Sequence, residues 1–149
     1  MPLTQTLLTD YYNTLLQAQT FKDYCPNGLQ IEGKEQIRKI AFAVSATQDS
    51  VQKAVAFGAD ALVVHHGLFW KFHGPCPLTG TLAGRVFPLI KNNINLYAYH
   101  LPLDAHQDVG NAATLGKLIN CFNQEPFGDY QGSPTGIKGL LTSPISVNP

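Results

Sequence analysis

Between Gly58 and Gly67 the chain runs Ala59-Asp60-Ala61-Leu62-Val63-Val64-His65-His66, an apolar stretch that stops at two adjacent histidines. A run this short, β-branched toward its end and bounded by glycines, reads as a strand buried on both faces. Its C-terminal end is where open α/β sheets hold ligands. Successive strand residues point to opposite faces, so His65 and His66 converge only if the chain turns, and Gly67 permits that turn. Two neutral imidazoles at such an edge suit metal ligation. The bland alternative is one hydrogen-bonded edge histidine beside one exposed one.

The flanking sequence extends the strand into a fold. Lys39 to Val44 reads as a buried strand, Ser45 or Thr47 can cap a helix, and Val51, Ala54, Val55 and Phe57 supply its inward face. Gly58 is placed to end that helix, so the whole forms a βαβ unit with parallel strands. Ile94 to Tyr99 is a third strand, and it ends at His100-Leu101-Pro102-Leu103-Asp104-Ala105-His106. If the second and third strands are parallel neighbours, both polar clusters lie on one edge of the sheet. A carboxylate beside imidazoles fits zinc, manganese or iron better than calcium. The fold class is therefore α/β, a mostly parallel sheet of βαβ units with flanking helices.

The remaining segments are read more coarsely. Leu3, Leu7, Leu8, Tyr11, Tyr12, Leu15 and Leu16 have the spacing of an amphipathic helix. Pro26-Asn27-Gly28 marks an irregular turn, in which Asn27 either closes the turn or contacts a substrate. Phe69 and Trp70 sit in an aromatic loop after the strand, and either stack a heterocycle or pack against core or subunit. Lys71 either meets a phosphate or is simply solvated. Pro88 should kink or shorten the helix that starts near Thr79 or Thr81. A last helix begins at Gly110-Asn111, with Leu115, Leu118 and Ile119 inward. Past Phe122, glycines and prolines break the pattern into short strands or loops. We expect an α/β metal-binding domain over 1–125 and, over 126–149, an irregular segment leading toward a second subdomain that this chain does not contain.

Acidic and basic residues balance at ten each, which removes the electrostatic footprint of a nucleic-acid binder. No apolar run approaches the ~20 residues of a membrane-crossing helix. Three scattered cysteines form no CxxC pair, so neither a disulfide framework nor a thiolate zinc site is indicated. Neither GxGxxG nor GxxxxGK occurs. The expected location is cytoplasmic.

Three stretches carry a family resemblance: Tyr24-Cys25-Pro26-Asn27-Gly28-Leu29-Gln30-Ile31-Glu32-Gly33, the segment from Gly58 through His65-His66-Gly67-Leu68-Phe69-Trp70-Lys71, and Asn95 through His100 and Asp104 to His106. In this order they resemble the YbgI-like family of GTP cyclohydrolase I type 2 homologues, related to the Ngg-one-interacting-factor-three proteins. The resemblance implies the N-terminal part of a dinuclear-metal, toroid-forming fold that assembles as a homohexamer. It implies divalent metal ions, two per subunit in the complete site. By position His65 looks like a ligand of one metal, His66 of the other, and Asp104 like a ligand paired with His65. The family's other ligands are spaced as HxxxE on a C-terminal helix, and no HxxxE follows Asp104. The chain therefore looks like the N-terminal part of a family member.

Two functions compete at this stage. The first is a metal-dependent hydrolase, in which a metal-activated water attacks an electrophilic carbon or phosphorus. With GTP as the small-molecule substrate, attack falls on C8 of the purine and is followed by ring opening and loss of formate. Here His100 or His106 shuttles protons or orients a ligand, unless each simply packs at a strand end. Asn27, Phe69 and Trp70 would line the substrate pocket. The alternative is a non-catalytic metal-binding or assembly module lacking the C-terminal ligands.

Overall fold

The computed structural model describes residues 2–146; Met1 and residues 147–149, the end of the expected tail segment, lie outside the described residues. It divides into two units, 1–100 and 101–149.

The first unit is built on a four-stranded sheet. Its strands are β1 (Gly28–Ile31), β2 (Ile40–Ser45), β3 (Ala61–His66) and β4 (Asn95–Ala98), in the spatial order β1-β4-β3-β2. β2, β3 and β4 are parallel, as the βαβ pattern requires, and β1 closes the β4 edge antiparallel. The sheet is thus mostly parallel, and the expected adjacency of β3 and β4 is present. β1 is the departure from expectation, since the Asn-Gly turn runs straight into a strand. Four residues led by a glycine at φ +107° carry no periodicity of their own. The hydrogen-bonding edge of β4 makes them a strand.

Three helices cover this sheet. Thr4 caps α1 (Gln5–Leu15) by accepting the Leu7 N–H at 3.2 Å. Thr47 caps α2 (Gln48–Phe57) by accepting the Ser50 N–H at 3.1 Å, and Gly58 ends that helix in the left-handed region at φ +68°. The third helix, α3 (Gly80–Lys91), is not broken by Pro88. The proline forgoes the one bond its N–H would make to the Gly84 carbonyl, while its own carbonyl still accepts from the Asn92 backbone and side chain.

Leu62, Val64, Leu96 and Ala98 of the sheet bury against Val51 and Ala54 of α2 and Val86 and Leu89 of α3. On the other face α1 is held by Tyr97 and Tyr99, whose hydroxyls donate to the Gln5 carbonyl and to Asn13 Oδ1, both at 3.1 Å. β3 is buried along its whole apolar run, Ala61 to Val64, up to the histidines. α1 buries less than its sequence suggests. Leu8 and Leu16 are inside, whereas Leu3, Leu7, Tyr11 and Leu15 remain exposed. Phe57 of α2 is exposed as well.

The second unit contains α4 (Leu101–Ala105), α5 (Asn111–Leu118), β5 (Phe122–Tyr130) and β6 (Ser133–Leu140). The glycine-rich tail, expected as short strands or loops, forms a two-stranded antiparallel hairpin, with α4 and α5 packed on β6. The glycines permit it: Gly128 and Gly132 take positive φ, and Gly116 lets α5 approach closely where a Cβ would meet Gln124 and Ile137. Leu115, Leu118 and Ile119 do not face inward. They are exposed, and Ala113 and Gly116 form the packed side of α5.

Candidate metal centre

β3 delivers His65 and His66 to the C-terminal edge of the sheet, and the residues following β4 deliver His100 beside them. Ring centroids lie 4.3 Å apart for His65–His66, 5.0 Å for His65–His100 and 5.7 Å for His66–His100. Nitrogens of the three imidazoles fall within 4.8 Å of one another, close enough for one ion to reach all three. Both histidines belong to β3 itself, and position 67 after them must be glycine for space, because a Cβ there would collide with the Gln30 amide and with Ala98 Cβ.

The second partners of these rings fix their chemistry. His65 Nδ1 lies 3.1 Å from the Tyr99 carbonyl oxygen, which can only accept. In the neutral ring Nδ1 therefore carries the proton and Nε2 the lone pair. His100 Nδ1 lies 2.8 Å from Asp23 Oδ1, an oxygen that also accepts the Tyr24 N–H. His66 Nδ1 meets the Ser45 hydroxyl at 2.9 Å, a partner that can donate or accept. Ring nitrogens anchored by carbonyl and carboxylate groups are the arrangement metal-binding histidines use. The donor set therefore fits a divalent transition metal.

A second group, Asp23, Cys25 and His100, also has the spacing of a site. In the metal-free chain burial, then the Asp23 charge, pushes the Cys25 thiol up to about 12.

The other expected site residues are placed as follows. Trp70 stands edge-on to His100 at 5.1 Å and 6.1 Å from His66, and its indole N–H donates to the Gly67 carbonyl. Phe69 packs against the core and, with Trp70, His73 and Cys76, lines a cavity of about 110 Å³. Asn27 donates to Asp23 and accepts the His100 backbone N–H. Lys71 is exposed and its ammonium donates to the Asp23 carbonyl. In the second unit, the Asp104 carboxylate accepts from Asn111 at 2.7 Å. His106 Nδ1 accepts the Asp108 and Val109 N–H groups, capping a turn.

Asp23 and Ser45 are the residues the sequence alone did not single out for the site. Of the two candidate caps, Ser45 and Thr47, it is Thr47 that takes the role, and Ser45 is left to His66. Asp23 lies one residue ahead of the first recognised motif, and its spacing from Asn27 was the available signal.

The Duf34/NIF3 (NGG1p interacting factor 3) family profile matches residues 3–149. The chain belongs to this family. A Duf34/NIF3 relative from Pyrococcus horikoshii, called a GTP cyclohydrolase 1 type 2 homolog, is 44% identical over 137 residues, covering 92% of this chain and 54% of that protein. The solved protein ybgI, described as of unknown function, superposes with a TM-score of 0.76 at 44% identity, covering 85% of this chain and 50% of the other. TTHA1606 from Thermus thermophilus gives 0.80 at 40% identity, covering 84% and 51%. The chain spans about half the length of the Duf34/NIF3 relatives it matches. Among the described residues no helix is long and apolar enough to cross a membrane.

Proposed function

We propose that this Duf34/NIF3 chain carries the metal-binding half of a hydrolase of the GTP cyclohydrolase 1 type 2 kind. The observation that carries the reading is the three-imidazole cluster at the sheet edge, with Nδ1 of His65 and of His100 tied to acceptors. His65, His66 and His100 would hold a divalent ion, and the resemblance adds Asp104 as a ligand paired with His65. A bound ion supplies Lewis acidity, making water a competent nucleophile and polarising a substrate oxygen. The chain's own residues hold the rings in place, with Trp70 beside His100 and stacked on Phe72 at 5.6 Å. Phe69, Trp70 and Asn27 would line the substrate side; the cavity beside Phe69 and Trp70, about 110 Å³, is smaller than the roughly 300 Å³ of ordinary ligand pockets, so it would not enclose a whole nucleotide. GTP is the proposed substrate, and a toroidal homohexamer the proposed assembly.

Formate release from GTP, measured with and without added zinc or manganese, tests this. We expect metal-dependent release that falls at least a hundredfold in His66→Ala. Equal rates with and without metal would remove the hydrolase reading. A second reading, a metal-binding or assembly module without catalysis, is favoured by a ligand cluster sufficient for one ion. Calorimetric titration separates the two: tight uptake of two ions per chain contradicts the module.

A further inference from the structure

Asp23 is nearly sealed from solvent, its side chain 2% exposed. It forms a closed circuit with two other residues. The His100 backbone N–H donates to Asn27 Oδ1 at 2.8 Å, which fixes the orientation of that amide. Asn27 Nδ2 must then be the donor in its 2.9 Å contact with Asp23 Oδ2. Asp23 Oδ1 receives the Tyr24 N–H at 2.6 Å and stands 2.8 Å from His100 Nδ1. Both carboxylate oxygens therefore serve obligate donors, and the complementary role for His100 Nδ1 is to donate. Lys71 and the Tyr24 carbonyl tie the aromatic loop to the same segment, so the circuit is held from a second side.

We propose that Asp23 is a positioning residue for the histidine cluster: with Asn27 it locks His100 in the Nδ1–H tautomer and aims the Nε2 lone pair at His65 and His66. This deepens the metal-centre reading and rests on it for its functional meaning, although the tautomer is a property of the metal-free chain. In the Asp23→Asn variant, one carboxylate oxygen becomes an NH₂ group, which must face either the Asn27 amide donor or the Tyr24 N–H. Neither choice is satisfied, and the second lets His100 take the opposite tautomer. Adding Asn27→Asp restores the donor–acceptor match at position 23. The introduced amide would donate to the introduced carboxylate, while its oxygen again accepts from His100 and Tyr24.

Imidazole 15N–1H correlation spectra of the 15N-histidine-labelled, metal-free chain, recorded on the basic side of the imidazole range, read the tautomer directly. The parent should show His100 protonated at Nδ1. Asp23→Asn should give a mixed population, and the Asp23→Asn/Asn27→Asp double variant should return to Nδ1–H. Zinc affinity, measured by titration with the metal alone, should fall about 10- to 100-fold in the single variant and recover in the double. A parent ring protonated at Nε2 overturns the inference even if the single variant fails to fold, and so does a double variant no different from the single. If the tautomers follow this pattern but no formate is released from GTP, the inference stands and the hydrolase reading falls.

Discussion

Asp60 shows how much a single buried carboxylate organises at the start of β3. It accepts from Lys34 Nζ at 2.6 Å and from the Arg38 and Lys39 N–H groups at 2.9 and 3.0 Å. Burial alone would raise its pKa, but the Lys34 hydrogen bond, the two backbone donors and the Lys34 charge outweigh it, and the pKa lies below the ordinary carboxylate value. Because the folded pKa is depressed, its stabilisation is full above the unfolded value, ~3.9, and disappears as pH falls through the folded one. Asp60→Asn should cost about 2 kcal/mol near neutrality and flatten the acid limb of a urea-midpoint against pH profile. An unchanged acid limb would show that other carboxylates control it. The histidines obey the same logic of partners. Their positions at strand ends were legible from the apolar run alone, but ring orientation depends on Tyr99, Ser45 and Asp23, which are distant in sequence.

At the scale of elements, the parallel strands and their capped helix could be read from sequence because local signals agree there. Thr47, the apolar positions of α2 and Gly58 each match what the helix needs. β1 was missed because its partner supplies its structure. A neighbouring position shows the same dependence: Gly33 N–H donates to Asn95 Oδ1 at 2.8 Å, and a Cβ at Gly33 would lie 2.5 Å from the Asn93 carbonyl oxygen. Backbone cannot yield there as a flexible side chain can. Gly33→Ala should therefore lower stability by about 1–3 kcal/mol, readable as a drop in the urea midpoint, while a neutral outcome would mean that the 33–36 and 93–95 segments separate easily. Asn95 is fully buried and bonds the Lys34 and Asp60 carbonyls as well, so this crossing is pinned from both sides.

Across the whole molecule, what stands out is apolar surface left uncovered. Phe42 and Val44 on the edge strand β2 are 69% and 71% exposed. Exposed groups of this kind mark association surfaces, and a strand edge invites pairing. If copies of the chain cover them, sedimentation should give a mass of several chains, and Phe42→Asp should reduce it. A parent that sediments as a single chain would exclude this. The sequence by itself determined the α/β class, the parallel core and the sheet edge that carries the histidines, because apolar periodicity, caps and glycine stops are local and mutually consistent. Only the tertiary structure decided that β1 is a strand, that the tail is a hairpin and that Asp23 faces His100. Those outcomes come from hydrogen-bond partners far along the chain, and local sequence patterns contain no record of which distant group will complete a donor or an acceptor.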